Sequence, residues 1–270
     1  MTYVDSLSTR HASSGATHLE AASHRPTSGR IIWGIVTLVL GSSVAASAIA
    51  TDVRTVAELR DVLPPGHYLV LLQNNAEQRP SGGFLGTFAT VDLTSTGYTN
   101  LMVDTNIYKR DNAFTEDHVI EPPAPLMGVA AQNRWAMRDS NWDLDFRAAA
   151  ERVSWFYAQE GGEPVDGVIA INATVLQDLL KLTGPISLEA SDEELSAENF
   201  FDLLHYKIEK EYFYDPAGRA RNEPKTILKE LIPSVQGRVF QPSVVPKVIS
   251  LVEQELAERH IQFYHTEPEI

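Results

Sequence analysis

The run Tyr68-Leu69-Val70-Leu71-Leu72 is unbroken and apolar, short enough to be a strand and without a polar face, so it reads as a strand buried on both sides. A second strand-like run, Phe84 to Leu93, follows it. Between them lies Gln73-Asn74-Asn75-Ala76-Glu77-Gln78-Arg79-Pro80-Ser81-Gly82-Gly83. This polar stretch supports two readings. Backbone N–H groups, the Asn74 carboxamide and the Arg79 guanidinium at a strand end can hold an anion. Alternatively, it is a tight connection whose glycines supply positive φ and whose arginine is solvated.

Downstream, a third strand is expected over Leu101–Asp104, and residues 105–134 read as an irregular surface loop. Strands and helices then alternate. Asp143 or Asp145 caps a helix from Phe146 to Glu160, ended by Gly161-Gly162, and Val165–Ile171 is a strand. Asn172 caps a helix over Ala173–Leu182 that Gly184-Pro185 stops, and Ile186–Leu188 is a short strand. Ser196 caps Ala197–Tyr212, Pro224 opens a helix through Leu231, and a helix with Pro246 in its first turn reaches Arg259. Ile261–Tyr264 is a strand left hanging at the terminus, an edge that something must cover. This alternation predicts an α/β fold, a three-layer sandwich with a mixed central sheet and helices on both faces.

The N-terminal region adds a membrane expectation. Residues 1–30 are polar and read as a disordered cytoplasmic tail, and Ile31–Ala50 is a stretch of twenty residues without a charge. As a helix it spans about 30 Å, the thickness of a bilayer core. Arg30 on the near side and Asp52 on the far side place the tail in the cytoplasm. Residues 51–66 form a short stem and 67–270 the extracytoplasmic domain. The rival reading is a cleaved signal peptide with Ala46-Ser47-Ala48 at its cleavage site; an uncleaved anchor accounts for the full apolar length. Both export the domain.

Composition closes several routes. The net charge of −14, with no basic block, argues against a nucleic-acid partner. There is no cysteine, so disulfides and thiolate chemistry are excluded. No Gly-x-Ser-x-Gly, Walker or Gly-x-Gly-x-x-Gly motif occurs, and the histidines form no ligand pair. Two polar clusters remain beside Gln73–Gly83. In Arg138-Asp139-Ser140-Asn141-Trp142-Asp143-Leu144-Asp145, Asp139, Asn141 and Asp143 mimic the start of an EF-hand, but Leu144 replaces the required glycine and Ala150 the closing acid. The cluster is then either a capping segment or a functional site centred on Arg138 and Asp139. The third cluster, Arg219 to Lys225, sets basic residues at a helix start, against its dipole. Cations aimed at an anionic ligand, or solvated surface charge, account for that misfit.

The segments "YLVLLQNNAEQRPSGG" (68–83), "RDSNWDLDF" (138–146), "VDGVIAINATVLQDLLKLTGPI" (165–186) and "LSAENFFDLL" (195–204), in that order and spacing, resemble the bacterial family of domains of unknown function DUF4012 over about residues 56–266. That family in turn is similar to the LytR-CpsA-Psr proteins, membrane-anchored extracytoplasmic phosphotransferases that move glycans from polyprenyl-pyrophosphate carriers to the cell wall. The resemblance implies a LytR-CpsA-Psr-like fold behind one transmembrane helix. It also implies pyrophosphate contacts from Arg79, Arg138, Arg221 and Lys225, with Asp139 assisting catalysis or holding Mg2+. Two positions depart: Ser81 stands where the first motif carries Asp, and Lys225 lacks the planar guanidinium fork. The family usually continues into a further β-rich region, which implies that this chain stops early.

The functional expectation is a membrane-anchored, extracytoplasmic cell-envelope protein with an arginine-lined site suited to a polyprenyl-pyrophosphate glycan. Two forms of it stay open, a glycan phosphotransferase and a non-catalytic module binding a glycan or a protein. Both forms of the arginine site carry a geometric demand: Arg79 and Arg138 must converge on one cleft.

Overall fold

A computed structural model describes residues 63–94, 97–128, 134–187, 193–211, 226–239 and 243–267, with positions 214, 216 and 241. Strands β1 (Gly66–Arg79), β2 (Gly82–Thr94) and β3 (Gly97–Asp104) form an antiparallel meander. Helices α1 (Ile107–Asp117) and α2 (Phe146–Gln159) follow, then β4 (Gly167–Asn172) and α3 (Ala173–Thr183). A ribbon of β5 (Ile186–Ser187) and β6 (Glu194–Leu195) leads to α4 (Phe200–His205), which runs into a π-helical segment, Tyr206–Glu211. The described chain closes with α5 (Thr226–Val239), α6 (Val245–Ala257) and β7 (Ile261–His265).

The main sheet has the order β3-β2-β1-β4-β7 and is mixed, because β1 and β4 run parallel while the other pairs are antiparallel. Strand alternation sends successive side chains to opposite faces. Tyr68, Val70 and Ile169 enter one core with Leu179 of α3, Phe200 of α4, Leu231 of α5 and Val252 of α6. Leu69, Leu71, Val168 and Ala170 enter the other with Ile107 and Phe114 of α1, Trp135, and Val153 and Phe156 of α2. Helices therefore pack on both faces, as a strand apolar on both sides requires. On β2, Leu85 and Phe88 reach the same core although three residues apart. A bulge allows this: Leu72 pairs with Thr87, but Gln73 pairs with Leu85.

Several expectations change. The long polar turn at 73–83 is mostly strand, since Arg79 pairs with Gly82 and only Pro80 and Ser81 form the tip. The expected irregular loop holds α1, whose buried residues Ile107, Asp111, Phe114 and Thr115 keep a helical period. Asp145, not Asp143, caps α2 by accepting from Arg147 N at 3.0 Å. Asn172 stands at the N-cap of α3, but its side chain makes no cap bond. The helix expected from Ala197 begins at Phe200, and α5 runs past Leu231 to Val239. The last strand pairs along its whole length with β4 and, as expected, forms an edge of the sheet. Among the described residues no helix is long and apolar enough to cross a membrane; the tail, the anchor at Ile31–Ala50 and most of the stem lie outside them.

Glu255 of α6 is fully buried with neither carboxyl oxygen hydrogen-bonded, and its neighbour Asp178 of α3 meets Lys181 Nζ at 2.5 Å. Burial, then the neighbouring Asp178, pushes Glu255 up to about 8. From the ordinary value of 4.5 up to about 8 the folded chain keeps a proton that the unfolded chain gives up, so stability falls as pH rises through that window. Glu255→Gln is expected to remove this share of the fall, read as a flatter dependence of the denaturant midpoint between pH 5 and 8.

Candidate functional site

The hairpin of β1 and β2 outreaches the sheet. β1 pairs with β4 only from Tyr68 to Gln73, and beyond that point β2 is its sole strand partner. Asn74 pairs with Phe84 and Gln78 with Gly83, so Asn75-Ala76-Glu77 loops out as a wide bulge. Asn74 holds the bulge from inside, accepting from Ala76 N at 3.2 Å and donating to Glu77 Oε1 at 3.0 Å. Asn75 reaches across to α3: its carboxamide donates to Thr174 Oγ1 at 2.6 Å and accepts from Thr174 N at 3.2 Å. A residue 99 positions away thus caps the helix that Asn172 leaves uncapped. Gly83 permits the bulge, because a Cβ there would run into the Asn74 backbone.

Three hydrogen bonds pin the tip. Ser81 Oγ donates to Asn141 O at 3.0 Å, Asn141 Nδ2 donates to Gly83 O at 2.8 Å, and Gln262 Nε2 of β7 donates to Ser81 O at 2.7 Å. The tip is therefore fastened to the segment after the 3-10 turn Met137–Asp139. That turn is held from beneath by Trp135, whose Nε1 donates to Asp139 O at 2.9 Å.

These contacts bring the predicted charges together. Arg79 Nη2 stands 3.5 Å from Asp139 Oδ1, and Arg138 Nε stands 3.5 Å from Asp139 Oδ2. The Asp139 side chain is 3% exposed and both arginines 17%. The two guanidiniums thus converge on one buried carboxylate, at its two oxygens. Each also lies over a ring, Arg79 over Phe84 at 5.1 Å and Arg138 over Tyr108 at 5.3 Å, and the two rings are neighbours at 6.2 Å.

Behind Arg138 lies a second buried acid. Arg138 Nη1 donates to Asp111 Oδ2 at 3.0 Å, and Asp111 is fully buried. Burial pushes Asp111 up, against the pull of Arg138. Beside it Glu160 is raised in turn, first by burial and then by the charge of Asp111. Glu160 Oε1 accepts from Met137 N at 3.0 Å. Arg110 flanks this pair, with Nε 3.4 Å from Asp104 Oδ2 and Nη1 donating to Glu160 O at 3.4 Å.

Of the sequence-predicted residues, Arg79, Arg138 and Asp139 meet, while Asn74 serves its own bulge. Arg221 and Lys225 lie outside the described residues. Sequence reasoning missed Glu160 and Tyr108, left Asp111 in a surface loop, and offered Asn141 only as an oxygen of the EF-hand-like run. Asp111 had one signal, its place four residues after Ile107 and three before Phe114 on a helical stripe. Among the described residues no group of three or more His, Asp or Glu side chains is arranged to hold a metal. Gly83→Ala is expected to cost about 1–3 kcal/mol or more by forcing the bulge apart, measured by chemical denaturation.

No curated protein and no solved structure matches this chain. The family model described as "Protein of unknown function (DUF4012)" matches residues 64–208, a span that contains Arg79, Asp111, Arg138, Asp139 and Glu160. By that match the chain belongs to the DUF4012 family.

Proposed function

We propose that this chain is a membrane-anchored cell-envelope protein whose extracytoplasmic α/β domain, LytR-CpsA-Psr-like in fold, binds the diphosphate of a polyprenyl-linked glycan between Arg79 and Arg138. The observation that carries the reading is the approach of these two guanidiniums to opposite oxygens of one carboxylate, from segments far apart in the chain. Planar forks that bracket a carboxylate have the geometry to bracket a phosphoryl group. The neighbouring rings of Phe84 and Tyr108 give the site an apolar rim. The uncharged run Ile31–Ala50 supports the anchor.

Binding is favoured over transfer. A transferase would need Asp139 to reach a hydroxyl or a metal, and its carboxylate is almost wholly buried between cations. A resident Mg2+ needs several oxygen donors, whereas the neighbours of Asp139 are guanidiniums, so these residues do not fit one. The incoming anion instead competes with Asp139 for the arginines.

Inorganic pyrophosphate titrated into the full-length protein tests this. Arg79→Ala and Arg138→Ala are each expected to weaken binding about tenfold or more, and Asp139→Asn to tighten it about tenfold, which is about 1.4 kcal/mol. Equal affinity in the wild type and both arginine variants, or no binding by folded protein, would overturn the reading. For the anchor, full-length protein should stay with membranes under alkaline extraction, and a variant lacking residues 31–50 should not.

A further inference from the structure

Two buried carboxyl oxygens near Arg138, Asp111 Oδ1 and Glu160 Oε2, have no hydrogen-bond partner. The other oxygens of the two carboxyls accept from neighbouring backbone amides, Glu160 from Met137 N and Asp111 from Arg138 N, which sets the two acids side by side. Two ionised carboxylates are acceptors only, so neither can satisfy the other in this buried place unless one carries a proton. The remaining oxygens of the pair grip the turn that presents Arg138 and Asp139. Asp111 Oδ2 receives Arg138 Nη1 at 3.0 Å and Arg138 N at 3.4 Å, and Glu160 Oε1 receives Met137 N at 3.0 Å.

We infer that Asp111 and Glu160 share one proton, and that this proton keeps the Met137–Asp139 turn, and with it Arg138, in place for anion binding. The inference rests on the anion-site reading of Arg79 and Arg138 and adds its regulation.

Charge balance supports it. The groups facing the pair are Arg110 on its own helix α1, Arg138 and Asp139 on the turn, Arg79 on the hairpin, and Asp104 at the end of β3, bonded to Arg110. Three guanidiniums then face four carboxyls, namely Asp104, Asp111, Asp139 and Glu160. One shared proton makes the set neutral. Without it, two like charges are in contact in a buried place, and the nearest cation, Arg138, is already divided between Asp111 and Asp139. Relief comes by parting α1 from the end of α2, and that movement releases the turn. The Glu160 side carries the proton, because burial and then the Asp111 charge push it up to about 8. The device holds at neutral pH and lets go in alkali.

Glu160→Gln separates the proton from the shape. A glutamine at 160 accepts from Met137 N as before and donates permanently to Asp111, so it copies the protonated form at every pH. Pyrophosphate affinity is measured on full-length wild type and Glu160→Gln from pH 6.5 to 9.5, and the ratio of the two affinities cancels the ionisation of pyrophosphate itself. The wild type is expected to match the variant near pH 7 and to fall about tenfold behind it by pH 9, one unit above the Glu160 value. A ratio constant across the range overturns the inference while leaving the anion site intact. Absence of pyrophosphate binding in both proteins overturns the anion site, and control of binding with it. A second readout is independent of ligand. The infrared difference between wild type and variant at pH 7 should show the carbonyl stretch of one protonated carboxyl, and its absence overturns the shared proton. Taking the difference removes the matching signal from Glu255 and Asp178.

Discussion

The site exists because β1 is longer than its parallel partner. As far as Gln73, β1 is a central strand fixed on both sides, by β2 and by β4. Past Gln73 the hairpin leaves the sheet with only its own ladder, and an isolated two-stranded ribbon is marginal in water. The ends of four other elements compensate for that. α3 receives Asn75, the loop before α2 receives Ser81, β7 supplies Gln262, and the turn at Met137–Asp139 meets Arg79. The overhang is stable only where these contacts hold it, which is why its arginine has one position.

The domain joins helices to one another with the same unusual device twice. Asp111 of α1 lies beside Glu160 at the end of α2, and Glu255 of α6 beside Asp178 of α3, each a pair of carboxyls of which one is fully buried. The two pairs lie on opposite faces of the sheet, one beside each core. A hydrophobic pair of equal volume would pack at least as well and would be indifferent to acidity. The carboxyl pairs make both helical layers sensitive to the same solvent variable.

Much of the architecture was readable because apolar period and strand length agree with the final burial. The strands at 68–72, 84–93 and 261–264, and the helix from Phe146, all lie within the observed elements. Where reading failed, burial overrode composition. α1 was hidden because two of its four buried residues, Asp111 and Thr115, are polar. α5 continues through Pro233 and Gly237, poor helix formers, because Ile227, Leu231, Val235 and Val239 line one buried stripe. Arg79, Arg138 and Asp139 could be singled out by type and clustering. Their meeting could not, since it depends on a bulge and on the tip's bonds to Asn141, which the sequence offered only as one oxygen of an EF-hand-like run. Asp111 and Glu160 were invisible for a further reason: a buried carboxyl looks like a surface one until its partner is known.

The bond from Gln262 to Ser81 spans 181 residues, and that from Asn75 to Thr174 spans 99. During synthesis the hairpin can form its ladder early and meet Asp139 and Asn141 next, but the bond to Ser81 O waits until Gln262 has emerged. The residues that fasten Arg79 are thus drawn from nearly the whole length of the domain, and loop-closure entropy sets the order of assembly. The bond from Gln262 is the last of these fastenings to become available, so a chain interrupted before Ile261 would bring Arg79 to Asp139 on a tip that lacks one of its three bonds.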